Sequence, residues 1–273
     1  MKILDGKKLA DQILRGLKDK IKKLDKKLNL VAVCVGSSSA SKSYLLQKER
    51  ASEKIGVNFK LVNLSRNIST SELWQDIKKL SDDFEVNGLL LQLPLPKYIE
   101  AQKVLNAISP LKDVDCLTEE NLGKFFSGNP LILPPTIGAI AKILKKYKIR
   151  LQGKYVVIVG AGRLVGKTAA LWAMNQGATV SVLNKLTPGI SNFTKLADIV
   201  ISGVGKPGLI KGNMIKKGAV VIDAGTSKYN NKIRGDVDFK SASKKASYIT
   251  PVPGGVGPMT VVSLMENLVK LNS

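Results

Sequence analysis

Two rounds of alternation between strand-length apolar runs and helical segments constrain this chain more than any other feature. The first opens with an amphipathic helix over 8–28, where Ile13, Leu14, Leu17, Ile21 and Leu24 recur at helical spacing beneath a lysine-rich face. The run Leu30-Val31-Ala32-Val33-Cys34-Val35-Gly36 then has strand length and no polar alternation, as expected of a parallel strand buried on both faces. Ser37 to Ser41 reads as a loop and helix cap, followed by helix 42–55, strand 58–64, helix 69–82 and strand 88–93. After Pro134-Pro135-Thr136-Ile137-Gly138, a helix through Tyr147 leads to a second round, with strands at 155–159, 180–183, 199–202, 220–223 and 248–250. This order predicts an α/β protein of two domains with parallel sheets and right-handed crossovers. The expected division is 1–118 plus a returning C-terminal helix 258–273, and 119–257, with the join inside 117–138.

Composition narrows the chemistry. The chain contains no histidine, which removes imidazole general bases, His-based triads and nearly all His-containing metal sites, so that no metal is expected. Proton transfer must then use Lys, Tyr, Cys or a carboxylate. Cys34 and Cys116 lack metal or redox spacing and read as free thiols of a protein in a reducing cytoplasm. No apolar run approaches the roughly 18 residues of a membrane span, and the first five residues do not read as a signal peptide. The net charge of +22 raises nucleic acid as a partner. The lysines are dispersed, however, and the 5% of aromatic residues do not interleave with them as stacking platforms. A solvated basic surface is the reading preferred over a nucleic-acid-binding module; a field that attracts anionic ligands, such as a phosphorylated dinucleotide or a polyglutamate tail, is the lesser functional alternative.

Val156-Val157-Ile158-Val159 enters Gly160-Ala161-Gly162-Arg163-Leu164-Val165-Gly166, and a helix follows from Lys167. A glycine-rich turn between strand and helix offers helix-end amides and the positive end of a helix dipole to a pyrophosphate. This marks residues 119–257 as a Rossmann domain. NAD-preferring versions place an acid at the end of the next strand, but here that strand ends Val182-Leu183-Asn184-Lys185. Lys185 either supplies a cation to a 2′-phosphate, favouring NADP, or is one more surface lysine.

In the first domain, Tyr44 and Lys48 are four residues apart on a helix and so share a face. The third strand ends in Gln92-Leu93-Pro94-Leu95-Pro96, and Lys112-Asp113-Val114-Asp115 precedes the join. Both segments lie at sheet carboxyl ends, where ligands gather in such folds. Near the C-terminus, Pro251-Val252-Pro253-Gly254-Gly255-Val256-Gly257-Pro258-Met259-Thr260 packs three prolines and three glycines before an apolar helix. Gly-Gly lets backbone approach a ligand with no Cβ in the way; taken alone, the run reads equally as a rigid helix-entry turn.

Together with Leu4-Asp5-Gly6-Lys7, Val35-Gly36 with Ser41, the segments 197–207 and 217–223, and Gly235-Asp236-Val237-Asp238, these motifs run in an order similar to that of the bifunctional methylenetetrahydrofolate dehydrogenase/cyclohydrolase family. The resemblance covers essentially the whole chain and makes the first domain folate-binding. It implies oxidation of 5,10-methylenetetrahydrofolate with NADP and hydrolysis of the methenyl product to 10-formyltetrahydrofolate, a step of one-carbon metabolism and purine biosynthesis. A dehydrogenase without cyclohydrolase activity is the nearest alternative. By the same resemblance Lys48 is the catalytic lysine, Tyr44 and Gln92 are its partners, and Asp115 is the pterin-binding carboxylate. Pro253, Gly254 and Gly255 wall the folate cleft. Gly160, Ala161, Gly162, Arg163, Gly166, Lys185 and Thr226 serve the cofactor, and the protein is a homodimer through its Rossmann domain. The chain departs from the family pattern where Ala161-Gly162 replace Arg-Ser, Asn184 replaces a histidine, Arg50 a lysine and Cys116 a glycine; Pro134-Pro135-Thr136 is a reduced form of Pro-Cys-Thr-Pro.

Overall fold

The computed structural model describes residues 1–24, 26–36, 39–229 and 232–273; Ser37 and Ser38, expected in a loop and cap, lie outside the described residues. The elements in the first half are β1 (Lys2–Ile3), α1 (Gly6–Ile21), β2 (Asn29–Val35), α2 (Ser39–Ile55), β3 (Asn58–Leu64), α3 (Thr70–Asp82), β4 (Gly88–Leu91), α4 (Ala101–Leu105) and α5 (Glu119–Phe126). The second half contributes α6 (Pro135–Lys146), β5 (Tyr155–Val159), α7 (Thr168–Asn175), β6 (Thr179–Leu183), α8 (Ile190–Thr194), β7 (Ile199–Ser202) and β8 (Val220–Asp223). After these come β9 (Ser227–Tyr229), β10 (Lys232–Arg234), α9 (Phe239–Ala242), β11 (Tyr248–Ile249) and α10 (Val256–Lys270).

Two compact units result: Gln12–Pro135 with Val261–Ser273, and Met1–Asp11 with Thr136–Thr260. In the first, β2 lies between β3 and β4, all parallel, with Val33 opposite Val62 and Leu91. The continuous apolar run of β2 is buried from Leu30 to Cys34, as strands covered on both faces require. Its core joins Val31 and Val33 to Leu73, Ile77, Leu89 and Leu105. Ser69 caps α3 through a reciprocal box with Glu72: the Ser69 Oγ accepts from the Glu72 amide at 3.2 Å and the Glu72 carboxylate accepts from the Ser69 amide at 2.8 Å.

The second unit is a six-stranded parallel sheet in the order β1-β11-β8-β7-β5-β6, with an antiparallel hairpin of β9 and β10 beside it. Adjacent β5 and β7 belong to opposite arms of this order, so their carboxyl ends form the switch point where such sheets bind ligands.

Several boundaries differ from expectation. The first helix stops at Ile21 rather than 28, because the Lys23 and Leu24 amides turn back to the carbonyls three residues earlier, at Lys20 and Ile21, and the next stretch is dense in lysine. The second helix starts at Ser39, three residues before the expected position. Strand β4 ends at Leu91; Gln92 donates the last ladder bond to Val33 at 2.8 Å, and proline soon removes the next donors. The pair β1, only two residues long and without detectable periodicity, joins β11 and carries the first eleven residues into the second unit, whereas the sequence assigns them to the first. Residues 119–135 stay with the first unit, so the two units part at Pro135 and Thr136, inside the expected join.

Candidate active site

Lys48 sits in the middle of α2, one turn after Tyr44 and one turn before Ser52. Its backbone is fixed from below: the fully buried Ser52 hydroxyl donates to the Lys48 carbonyl at 2.9 Å and lies 3.6 Å from the Met265 sulfur. Lys48 itself is only 9% exposed. Its Nζ donates to Gln92 Oε1 at 3.2 Å and stands 3.9 Å from Asp115 Oδ2. Gln92 is oriented by its own second bond, Nε2 to the Leu93 carbonyl at 2.8 Å, which leaves the amide oxygen facing the lysine. Thus helix α2, the end of β4 and the 112–116 loop bring Lys48, Gln92 and Asp115 together across the first unit, with half-buried Tyr44 on the same helix face. The Asp115 carboxyl is pushed up by burial, pulled down by the Lys48 ammonium and pushed up again by neighbouring Asp113.

Two carboxylates two residues apart have separate duties. Asp113 is 1% exposed and accepts from the Leu117 amide at 2.9 Å, the Thr118 amide at 2.9 Å, the Thr118 hydroxyl at 2.8 Å and Asn121 Nδ2 at 3.1 Å. Its acceptor capacity is spent on folding the chain into α5, which Thr118 caps. Asp115 instead turns its carboxylate toward Lys48 Nζ. Residue 116 has φ 55°, a left-handed conformation natural to the family's glycine and held here by a buried cysteine. Asn267, 6% exposed on α10, donates to the Val114 carbonyl at 2.9 Å and the Leu133 carbonyl at 2.8 Å. It ties the Asp115 loop to α10, and its loss strands two carbonyls at about 1–3 kcal/mol each. Sequence reading missed Asn267; the signal was a lone amide among Leu264, Met265, Leu268 and Val269.

In the second unit, the glycines of the C-terminal signature are engaged by the chain itself. The Lys7 amide donates to the Gly254 carbonyl at 2.9 Å, and a Cβ on Gly6 would stand 1.9 Å from the Gly255 oxygen. Gly255 is buried, with room for a Cβ denied by the Pro251 carbonyl at 2.5 Å, whereas Pro253 is exposed and Gly254 half-exposed at φ 108°.

The turn after β5 is framed by close backbone approach. A Cβ on Gly166 would lie 1.9 Å from the Gly160 oxygen, and one on Gly203, at the end of β7, would lie 2.5 Å from Val165 Cγ1. Gly160 itself holds φ 107°. Gly162 differs: a Cβ there meets nothing within 4 Å. The chain then winds through one wide turn, Arg163–Lys167, before α7. This is a cradle open to a pyrophosphate at a switch point, and it fits a dinucleotide. Lys185 is exposed just past β6, in a turn closed by Asn184, whose Oδ1 accepts from the Leu186 amide at 2.8 Å. Thr226 is exposed in the loop between β8 and β9.

Beneath this cradle lie two buried aspartates. Asp236 accepts from the Ser202 hydroxyl at 2.8 Å and from the amides of Val204 at 2.7 Å and Lys206 at 2.8 Å, fixing the loop after β7. Asp223 accepts from the amides of Gly225 at 2.9 Å, Asp236 at 3.1 Å and Val237 at 2.8 Å. Burial outweighs these bonds and pushes the Asp223 carboxyl up to about 6.

Known proteins give the same two-part picture. Residues 4–115 match the model of the tetrahydrofolate dehydrogenase/cyclohydrolase catalytic domain, and residues 134–273 that of its NAD(P)-binding domain. The chain is 48% identical over 272 residues to the bifunctional protein FolD of Hydrogenobaculum sp., covering 99% of this chain and 98% of that one. The crystal structure of the Campylobacter jejuni bifunctional FolD superposes with a TM-score of 0.95 at 41% identity, covering 100% of this chain and 98% of that one. The Trypanosoma brucei FolD, solved with NADP cofactor and an inhibitor, gives 0.94 at 34% identity, covering 99% and 96%.

Proposed function

The chain belongs to the tetrahydrofolate dehydrogenase/cyclohydrolase family, and from that premise we propose which of its residues carry the two reactions. Its function is the oxidation of 5,10-methylenetetrahydrofolate to the 5,10-methenyl cation with NADP, followed by hydrolysis to 10-formyltetrahydrofolate. The observation that carries the assignment is the Lys48–Gln92–Asp115 cluster in a protein without histidine.

Lys48 is the proton acceptor for the hydrolytic step. As water adds to the methenyl carbon, Lys48 Nζ takes one of its protons; the C–N5 bond of the resulting carbinol then breaks with its electron pair going to N5, while the hydroxyl gives up its remaining proton to become the formyl C=O and N5 takes up a proton. Gln92 suits this role because its amide oxygen accepts a hydrogen bond from Nζ and fixes its position without adding a second charge beside the one Asp115 already brings. Asp115 accepts paired N–H groups of the pterin ring, and Tyr44 lines the same pocket. Pro253 and Gly254 line the folate cleft; Gly255, committed to Pro251 and Gly6, shapes them.

The dinucleotide would be held by Gly160, Ala161, Gly162, Arg163 and Gly166 at its pyrophosphate, with Thr226 a further cofactor residue and Lys185 the cation for the 2′-phosphate. Bound there, NADP supplies the acceptor for the substrate's hydride. Lys185→Ala is expected to raise KM for NADP by about three- to tenfold, the worth of one exposed charge-assisted contact, and to leave KM for NAD unchanged. Steady-state kinetics with both cofactors checks this, and equal movement of the two constants removes Lys185 from the site.

We further propose a cytoplasmic homodimer serving purine biosynthesis. Two buried free thiols suit a reducing compartment. The edge strand β6 leaves Val182 40% exposed, with Met174 of α7 and Leu186 also uncovered, an apolar margin suited to a second copy. Light scattering should give twice the 29.4 kDa chain mass, and Val182→Lys should shift it toward the monomer; a monomeric wild type overturns the dimer.

A further inference from the structure

The amino-terminal end of the six-stranded sheet, opposite the cradle after β5, carries a feature that neither reaction uses. Three separate segments converge there on a cavity of 180 Å³: the stretch after α6, the start of β7, and the turn that enters β8. Its polar lining is Arg150, Lys154, Lys216 and Lys217 against a single acid, Asp198. Ile199 and Val220 contribute to an apolar floor.

The acid is already satisfied. Asp198 Oδ1 accepts from Lys216 Nζ at 2.7 Å, and Oδ2 accepts from the Tyr155 amide at 3.1 Å. The carboxylate is held below its ordinary range first by the Lys216 bond, then by the Tyr155 amide, and Lys154 adds to this. Asp198 thus pins one ammonium in place at the rim and cancels one charge, leaving three cations of the lining unbalanced. A preorganised cation loses less freedom on meeting an anion than a free lysine does. At about 3.3 Å per residue, the length of β5 separates this cavity from the Gly160 turn by roughly 16 Å, so one ligand phosphate cannot serve both.

We propose that this cavity is a second anion site that takes a diphosphate group. A monophosphate carries about −1.5 to −2 at pH 7, short of the three unbalanced cations, which a diphosphate matches more nearly. A nucleic-acid duplex fits less well, because phosphate tracking favours an extended basic stripe over a small concavity with a carboxylate in its wall.

The test is calorimetric titration of the full chain with inorganic pyrophosphate, in saturating NADP so that the cofactor cradle is blocked. One saturable site is expected, weakened about tenfold or more by the double substitution Arg150→Ser with Lys217→Ser, as loss of two charge-assisted contacts implies. The double variant should keep its thermal midpoint and its dehydrogenase rate. ADP and AMP distinguish sources: ADP binding as tightly as pyrophosphate marks the diphosphate alone as the ligand, and ADP binding more tightly marks a nucleotide. The proposal is overturned if NADP abolishes binding, if the double variant binds as the wild type does, if binding disappears at physiological salt as for any basic surface, or if a short DNA duplex displaces pyrophosphate.

Discussion

Lys48→Met is expected to lower methenyl hydrolysis by about 10²–10⁴-fold, the usual worth of a general base, while hydride transfer falls much less. The asymmetry follows from the chemistry. Oxidation of the bridging carbon spreads positive charge over two nitrogens and asks for no proton acceptor, whereas hydrolysis needs one at the attacking water. Methionine keeps the length of the side chain and the buried packing on α2, and the Ser52 bond to the residue 48 carbonyl is untouched. Folding should therefore survive. The substitution also removes the ammonium that pulls the Asp115 carboxyl down, so Asp115 should titrate higher in the variant. The two activities are separated by following methenyl absorbance with and without cofactor. Wild-type hydrolysis by a folded Lys48→Met protein would sink the assignment.

The second large effect belongs to Asp115. Asp115→Ala should raise the folate dissociation constant about 10–100-fold, the range of one or two lost charge-assisted bonds. Both activities should suffer together, since one pterin pocket serves both. Asp113 supplies the contrast, because its four donors lie within the fold. Asp113→Ala should unfold the loop and lower the thermal midpoint, while Asp115→Ala should leave that midpoint in place and lose binding. If Asp115→Ala binds folate as the wild type does, the pterin carboxylate is elsewhere.

Much of this was legible from residues alone, and the gaps have physical causes. Apolar runs such as 30–35 and 155–159 announce parallel strands because burial on both faces leaves no polar alternation. Tyr44 and Lys48 declare themselves by helical spacing. The meeting of Lys48 with Gln92, 44 residues further on, depends on where β4 ends, which only the sheet register fixes. The division of labour between Asp113 and Asp115 depends on Leu117, Thr118 and Asn121 curling back onto one carboxylate, and nothing in the run Lys-Asp-Val-Asp encodes that. Strand β1 owes its existence to β11, nearly 250 residues away, so a two-residue segment carries no local signal. The C-terminal Gly-Gly pair suggests backbone making way for a ligand, yet the buried one, Gly255, makes way for Gly6 and Pro251.

The open flank of Gly162 bears on how such a chain can change. Gly160, Gly166 and Gly203 are locked by backbone packed against backbone or neighbouring side chain, so a side chain at any of them breaks the turn before a ligand is ever met. Gly162 carries no such obligation. Residues can be exchanged there as mutations accumulate, at little cost to foldability, as Ala161-Gly162 in place of Arg-Ser illustrates. The pyrophosphate end of the turn can therefore accept substitution while the scaffold stays intact, and an engineer seeking to retune dinucleotide affinity there should start at Gly162 and leave Gly160, Gly166 and Gly203 alone.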